Sequence, residues 1–93
     1  MAVVRIRRQA SDGRKDYDAV VDKLRPHENP PKGLILHTYG QNGGQWEAIE
    51  IWESAEDADR YEREVTPATR QVLGANYAHP QPTTYEVHNI IRP

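Results

Sequence analysis

An α+β fold, one antiparallel sheet of four strands with two helices on one face, is what this sequence predicts, on three observations. Four short segments alternate apolar and polar residues with a period of two, as strands do. Two others space their apolar residues at helical intervals, and the order of all six is β-α-β-β-α-β. A glycine-rich turn separates the two middle strands, so they pair as a hairpin.

Each element has its own warrant. Val3-Val4-Arg5-Ile6-Arg7-Arg8 mixes β-branched and charged residues and reads as the first strand. From Asp12 to Leu24, Tyr17, Val20, Val21 and Leu24 fall at i, i+3, i+4 and i+7, one face of an amphipathic helix. Ser11 or Asp12 is expected to cap it, and Arg25-Pro26 to end it, because a residue before proline is pushed out of the α region. His27 to Lys32, with its prolines, is a loop. Leu34 to Tyr39 is the second strand, Gly40-Gln41-Asn42-Gly43-Gly44 the turn, and Trp46 to Glu53 the third strand. Ser54-Ala55-Glu56-Asp57 resembles a capping box, and Ala58, Tyr61 and Val65 continue a second helix. Thr66-Pro67 is expected to interrupt that helix and cap a further helical segment, closed by Gly74 in a left-handed conformation. Asn76 to Pro82 is loop, and Thr83 to Ile91 reads as the fourth strand. This is the split βαβ, or ferredoxin-like, arrangement.

Composition narrows the function. The chain has 93 residues, enough for a single domain spanning 1–93. Its 14 acidic and 12 basic residues leave a net charge of −2, without the basic stripe that a nucleic-acid or anionic-membrane surface needs. No cysteine is present, which removes disulfides and cysteine metal sites. No apolar run approaches a membrane span, and Met1 to Arg5 lacks the pattern of a signal peptide, so a cytoplasmic protein is expected. Only 37% of residues are hydrophobic and none is Phe, so the core should be thin. Both faces of the sheet carry apolar residues, however. Helices are expected to cover one and a second copy of the chain the other, making a homodimer through the open sheet face.

Strand alternation sorts the reactive side chains. Ile35, His37 and Tyr39 share one face of the second strand, Ala48, Glu50 and Trp52 one face of the third, and Glu86, His88 and Ile90 one face of the fourth. Should these sets lie on the same side, His37, Glu50, Trp52 and His88 line one cavity. His37 and Glu50 are the candidate catalytic pair: histidine moves protons near neutrality, and a carboxylate at hydrogen-bond distance fixes its tautomer. The bland alternative is that they merely satisfy one another across the hairpin. Trp52, Tyr61, Tyr17 and His88 are candidate substrate-binding residues, with core packing as the competing role for the aromatic ones. Tyr39 and Trp46 flank the hairpin and are candidates for the subunit contact. Arg5, Arg7 and Arg8 read as a solvated cluster. The histidines at 27, 37, 79 and 88 have no zinc-motif spacing, no phosphate-cradling glycine loop opens a helix, and neither metal nor cofactor is expected.

The element order, the strand Gly33-Leu34-Ile35-Leu36-His37, and Ile49-Glu50-Ile51-Trp52-Glu53-Ser54 before an acidic helix resemble the dimeric α/β-barrel superfamily. More narrowly they are similar to its small antibiotic-biosynthesis-monooxygenase-like proteins. The resemblance covers nearly the whole chain and implies a homodimer whose two sheets face one another, with a cavity between each sheet and its helices. Some members oxidise polycyclic aromatic substrates with dioxygen and neither metal nor flavin; others degrade haem, isomerise lactones or sense stress. The haem-degrading branch uses an Asn on the first strand, a Trp on the third and a His on the second helix. Of these only Trp52 is present here. The resulting expectation is a small-molecule-binding protein, extending to a cofactor-independent oxygenase of an aromatic substrate. The alternatives are a non-catalytic ligand-binding or dimerisation module, and an isomerase or lyase using His37 for proton transfer.

Overall fold

In the computed structural model, which describes residues 1–93, the six elements follow the expected order. They are β1 (Val3–Gln9), α1 (Arg14–Leu24), β2 (Leu34–Asn42), β3 (Gln45–Trp52), α2 (Ala55–Leu73) and β4 (Thr83–Glu86). The four strands form one antiparallel sheet ordered β2-β3-β1-β4. This is the ferredoxin-like α+β arrangement.

Register assigns every strand residue to a face. On the helix side run the rows Leu34–Trp52–Val3–Glu86, His37–Glu50–Arg5–Thr84, Tyr39–Ala48–Arg7 and Gln41–Trp46–Gln9. On the open side run Leu36–Ile51–Val4–Tyr85 and Thr38–Ile49–Ile6–Thr83. Leu34 and Leu36, which strict alternation would place on one face, lie on opposite faces. An irregularity between them inserts Ile35 as an extra residue and reverses the alternation.

The core is small, as the composition required. Val3, Trp52 and Ala58 are buried together, with Leu34 and Tyr61 packed against them. Trp52 is 1% exposed. The open face is covered only in part within the chain: Val4 at its centre is 5% exposed, while Leu36 is 53% and Tyr85 54% exposed.

Several local expectations are corrected. The hairpin turn is only Gly43-Gly44, because pairing continues through Gln41↔Trp46 and Asn42↔Gln45; Gly43 supplies the positive φ, +61°. Helix α1 starts at Arg14 after Gly13. Asp12 still serves its first turn, its carboxylate accepting from the Arg14 backbone N–H at 3.0 Å. Arg25 ends α1 in the left-handed region (φ 50°, ψ 58°), and its N–H donates to Val21 O at 2.7 Å. Ser54 caps α2 as expected, accepting from Asp57 N–H at 3.0 Å. Helix α2 then passes through Pro67 without a break. Proline removes one ladder donor, and Thr66 does not cap a new segment: its hydroxyl donates back to Glu62 O at 2.6 Å. Gly74 follows with φ 111° and ψ 152°, a positive φ outside the left-handed helical region.

Strand β4 stops at Glu86, short of the expected Ile91, because its partner runs out. Glu86 already pairs with Val3, and one more bond, Val87 N–H to Ala2 O at 2.9 Å, exhausts β1.

Candidate functional site

A cavity of about 550 Å³ lies between the helix-side face of the sheet and the two helices. The rows above decide what lines it. Because β2 and β3 pair in the register His37↔Glu50, these two side chains meet on the cavity wall. His37 Nδ1 lies 2.9 Å from Glu50 Oε2. The other carboxylate oxygen accepts from the Trp52 indole N–H at 3.3 Å and lies 3.6 Å from Arg7 Nη1.

Burial by itself would raise the Glu50 pKa. The hydrogen bond to His37 and its charge, then the Trp52 indole and Arg7, outweigh it and hold the carboxyl below its usual range. Glu50 is therefore ionised at neutral pH. Facing a carboxylate, the neutral imidazole carries its proton on Nδ1, which leaves Nε2 as the basic nitrogen. Nε2 has no partner within the protein and is sealed from solvent, so a ligand reaches it only after a neighbouring side chain shifts.

The aromatic residues form a stack that starts at this pair. Tyr17 on α1 stacks with His37 at a centroid distance of 5.7 Å and with Tyr39 at 4.3 Å. Tyr39 continues to Trp46 at 5.6 Å, and the Arg14 guanidinium covers Trp46 at 4.9 Å. Tyr61 on α2 tilts against Trp52 at 5.6 Å. Burial first, and the Glu50 charge second, raise the pKa of both Tyr17 and Tyr61, so their hydroxyls remain protonated.

Four of the expected substrate-contacting and catalytic groups therefore meet around the cavity: His37, Glu50, Tyr17 and Tyr61. Trp52, 1% exposed, takes the competing role of core packing behind them. His88 does not join them. It lies beyond the end of β4 and is exposed. Tyr39 and Trp46 also depart from expectation, since both belong to the helix-side rows and line the cavity rather than the open face.

Of the first-strand arginines, Arg8 is exposed as expected, but Arg5 and Arg7 are not. Arg5 and Arg7 sit in the helix-side rows, 11% and 16% exposed at their side chains. Arg5 donates to Asp59 at 2.7 Å; Arg7 donates to Glu62 at 2.6 Å and through Nε to Pro80 O at 2.9 Å. Asp59 and Glu62 thus tie α2 to the sheet. Strand alternation of Val3, Arg5 and Arg7 was the available signal: a face that buries Val3 also carries both arginines inward. His79, too, lines the cavity, edge-on to Tyr77 at 5.2 Å. Burial, with Arg7 nearby, lowers its pKa below the ordinary imidazole value, so it is neutral at pH 7. No periodicity pointed to His79, because it stands in a loop. No group of three or more His, Cys, Asp or Glu side chains gathers into a metal-binding cluster.

No family model matches the chain, and no curated protein matches it in sequence. Solved structures do match in fold. The structure of Rv0793 from Mycobacterium tuberculosis aligns over 99% of this chain and 100% of its own, with a TM-score of 0.69 at 16% identity. SnoaB from Streptomyces nogalater, a cofactor-independent oxygenase, aligns over 99% and 98% with a TM-score of 0.60 at 13% identity. The ActVA-Orf6 monooxygenase of Streptomyces coelicolor, in complex with nanaomycin D, aligns over 99% and 91% with a TM-score of 0.56 at 16% identity. By its strand order, its helix placement and these matches, the chain has the ferredoxin-like fold of the antibiotic-biosynthesis-monooxygenase-like proteins.

Proposed function

We propose that the cavity takes up a flat aromatic small molecule, and that the His37–Glu50 pair accepts its proton in a cofactor-independent oxygenation. The observation that carries this reading is the 2.9 Å contact between His37 Nδ1 and Glu50 on the wall of an aromatic cavity. Ionised Glu50 holds the imidazole in the tautomer that presents Nε2 as base, and stabilises the imidazolium once the proton has moved. Removing a proton from an electron-rich phenol raises its electron density, the condition for electron transfer to dioxygen. Tyr17 and Tyr61 supply ring surfaces for the substrate, and buried Trp52 backs Tyr61 from the core. Two proteins of this fold, one an oxygenase and one a monooxygenase holding nanaomycin D, support the reading by analogy of fold.

Dioxygen uptake with a panel of electron-rich phenols tests it. His37→Ala should reduce uptake about 10²–10⁴-fold, the usual contribution of a general base, while far-UV circular dichroism stays unchanged. Absence of uptake by the wild-type protein across the panel would refute oxygenation. Turnover under argon would assign proton transfer without oxygen, as in an isomerase or lyase. A second reading, ligand binding without turnover, is favoured by the sealed state of His37 Nε2; its signature is a ligand-dependent rise in Tm with no product.

The second copy of the chain belongs to the same proposal. The open-face row Leu36–Ile51–Val4–Tyr85 is apolar along its whole length, and its two outer members are more than half exposed. A homodimer that seats two such faces together buries them. Sedimentation should show a dimer for the wild-type chain and a folded monomer for Leu36→Asp. A wild-type monomer at micromolar concentration would refute the pairing.

A further inference from the structure

The hairpin between β2 and β3 carries chemistry of its own, away from the cavity. Asn42 ends β2, pairs with Gln45 as the last rung of the ladder, and is exposed. Gly43 follows it. The side-chain amide of an asparagine is open to attack by the backbone nitrogen of the next residue, provided that nitrogen carries a hydrogen, is unhindered and is not held elsewhere. Gly43 meets all three conditions. It has no side chain, its N–H donates to no backbone carbonyl, and nothing lies within 4 Å of where a Cβ would stand.

The other three asparagines each fail one condition. Asn29 precedes Pro30, whose nitrogen has no hydrogen. Asn76 precedes Tyr77, whose N–H donates to Gly74 O at 3.1 Å. Asn89 precedes Ile90, whose β-branched side chain crowds the approach. At Asn42 the attack is opposed only by the pairing with Gln45, because the residue must turn out of its extended conformation. A terminal rung frays more readily than those behind it.

We propose that Asn42 is a site of spontaneous deamidation, and that its conversion loosens the β2–β3 hairpin. Gly43 N gives its proton to water and bonds to Asn42 Cγ, closing a cyclic imide. The Cγ–Nδ2 bond breaks, and Nδ2 takes a proton from water and leaves as ammonia. Water then opens the ring at either carbonyl. One opening gives an aspartate; the other gives an isoaspartate, whose main chain runs through Cγ and is one carbon longer. No oxidation or reduction takes place: one water is consumed and one ammonia released.

Both products change the same contacts. Asn42 Nδ2 donates to Glu47 Oε1 at 3.1 Å, and Arg8 donates to the other Glu47 oxygen. A carboxylate in place of the amide removes the first donor and sets a second negative charge against Glu47. The isoaspartate also lengthens the chain at the turn, so the pairs Asn42↔Gln45 and Gln41↔Trp46 lose their register. The same ladder, further along β2, sets His37 opposite Glu50.

Incubating the folded protein at neutral pH and physiological temperature, with peptide mass spectrometry at successive times, tests the proposal. Amide-to-acid conversion at Asn42 should run at least about tenfold faster than at Asn29, Asn76 or Asn89. Isoaspartyl methyltransferase should label part of the product. Asn42→Gln keeps an amide but requires a larger ring, so conversion at this position should stop. Asn42→Asp, which reproduces the aspartate product, should lower Tm by about 4–8 °C, the shift that loss of one hydrogen bond gives in a domain of this size. Conversion at Asn42 no faster than at the other asparagines overturns the assignment to the Gly43 nitrogen. Conversion seen only in the urea-unfolded chain overturns the site as a property of the folded protein. An unchanged Tm in Asn42→Asp overturns the loosening of the hairpin.

Discussion

Trp52→Ala is expected to destabilise the protein by about 3–5 kcal/mol, the range for truncating a buried aromatic side chain. Trp52 is the largest fully buried side chain, and the small core of Val3, Ala58, Leu34 and Tyr61 is assembled around it. At about 0.05–0.15 kcal/mol per residue, a chain of 93 residues has a total stability of about 5–14 kcal/mol, so one substitution removes a large share of it. Thermal denaturation should show Tm falling by at least about 12 °C. Trp52→Phe separates packing from hydrogen bonding. It keeps most of the ring volume but deletes the indole N–H that reaches Glu50 at 3.3 Å, and should cost only about 1–2 kcal/mol. An alanine variant less than 1 kcal/mol weaker, on the order of a surface change, would show that the core does not depend on this residue.

Glu50→Gln has the second-largest expected effect, and its signature is a pH dependence. The carboxylate compensates Arg7 and His37 in a half-enclosed site. Breaking a fully buried ion pair costs about 3–5 kcal/mol, and with 15% of the Glu50 side chain exposed about 2–4 kcal/mol is expected at neutral pH. The folded-state pKa of Glu50 is depressed, so the folded protein holds its proton less tightly than the unfolded chain does. Stability from this group is therefore fully present above the unfolded value of about 4.3 and is lost as pH falls through the lower folded value. Urea denaturation at a series of pH values should show a wide gap between wild type and Glu50→Gln at pH 6–7 that narrows below about pH 4. A gap independent of pH would mean that the introduced amide perturbs packing, and that the lost charge is not the cause.

Some of this site was open to reading before any coordinates. His37 and Glu50 stand on adjacent strands joined by a short glycine turn, and alternation allowed them the same face. Pairing through Asn42↔Gln45 then made them direct neighbours. Tyr17 and Tyr61 were visible because each lies on the apolar stripe of a helix that must face the sheet. Other parts were beyond reach. Leu34 changes face through one inserted residue, and nothing in Leu34-Ile35-Leu36 distinguishes a regular strand from a bulged one. Alternation with Val3 could turn Arg5 and Arg7 inward, but nothing local names their partners, which α2 supplies as Asp59 and Glu62. His79 reaches the cavity because an arginine 73 positions earlier in the chain holds the backbone at Pro80.

Local sequence determined the elements themselves, their order and most of their ends, because hydrophobic period, capping residues and turn glycines act over a few residues. It also determined that the core would be thin. The tertiary structure alone decided how far β4 extends, that α2 runs unbroken through Pro67, and which carboxylates the inward arginines meet. Those outcomes depend on strand register, on where a partner strand ends and on pairings between distant carboxylates and guanidinium groups. Such interactions exist only after the chain has closed, and a polar side chain looks the same in sequence whether its partner is water or a glutamate on the far side of a cavity.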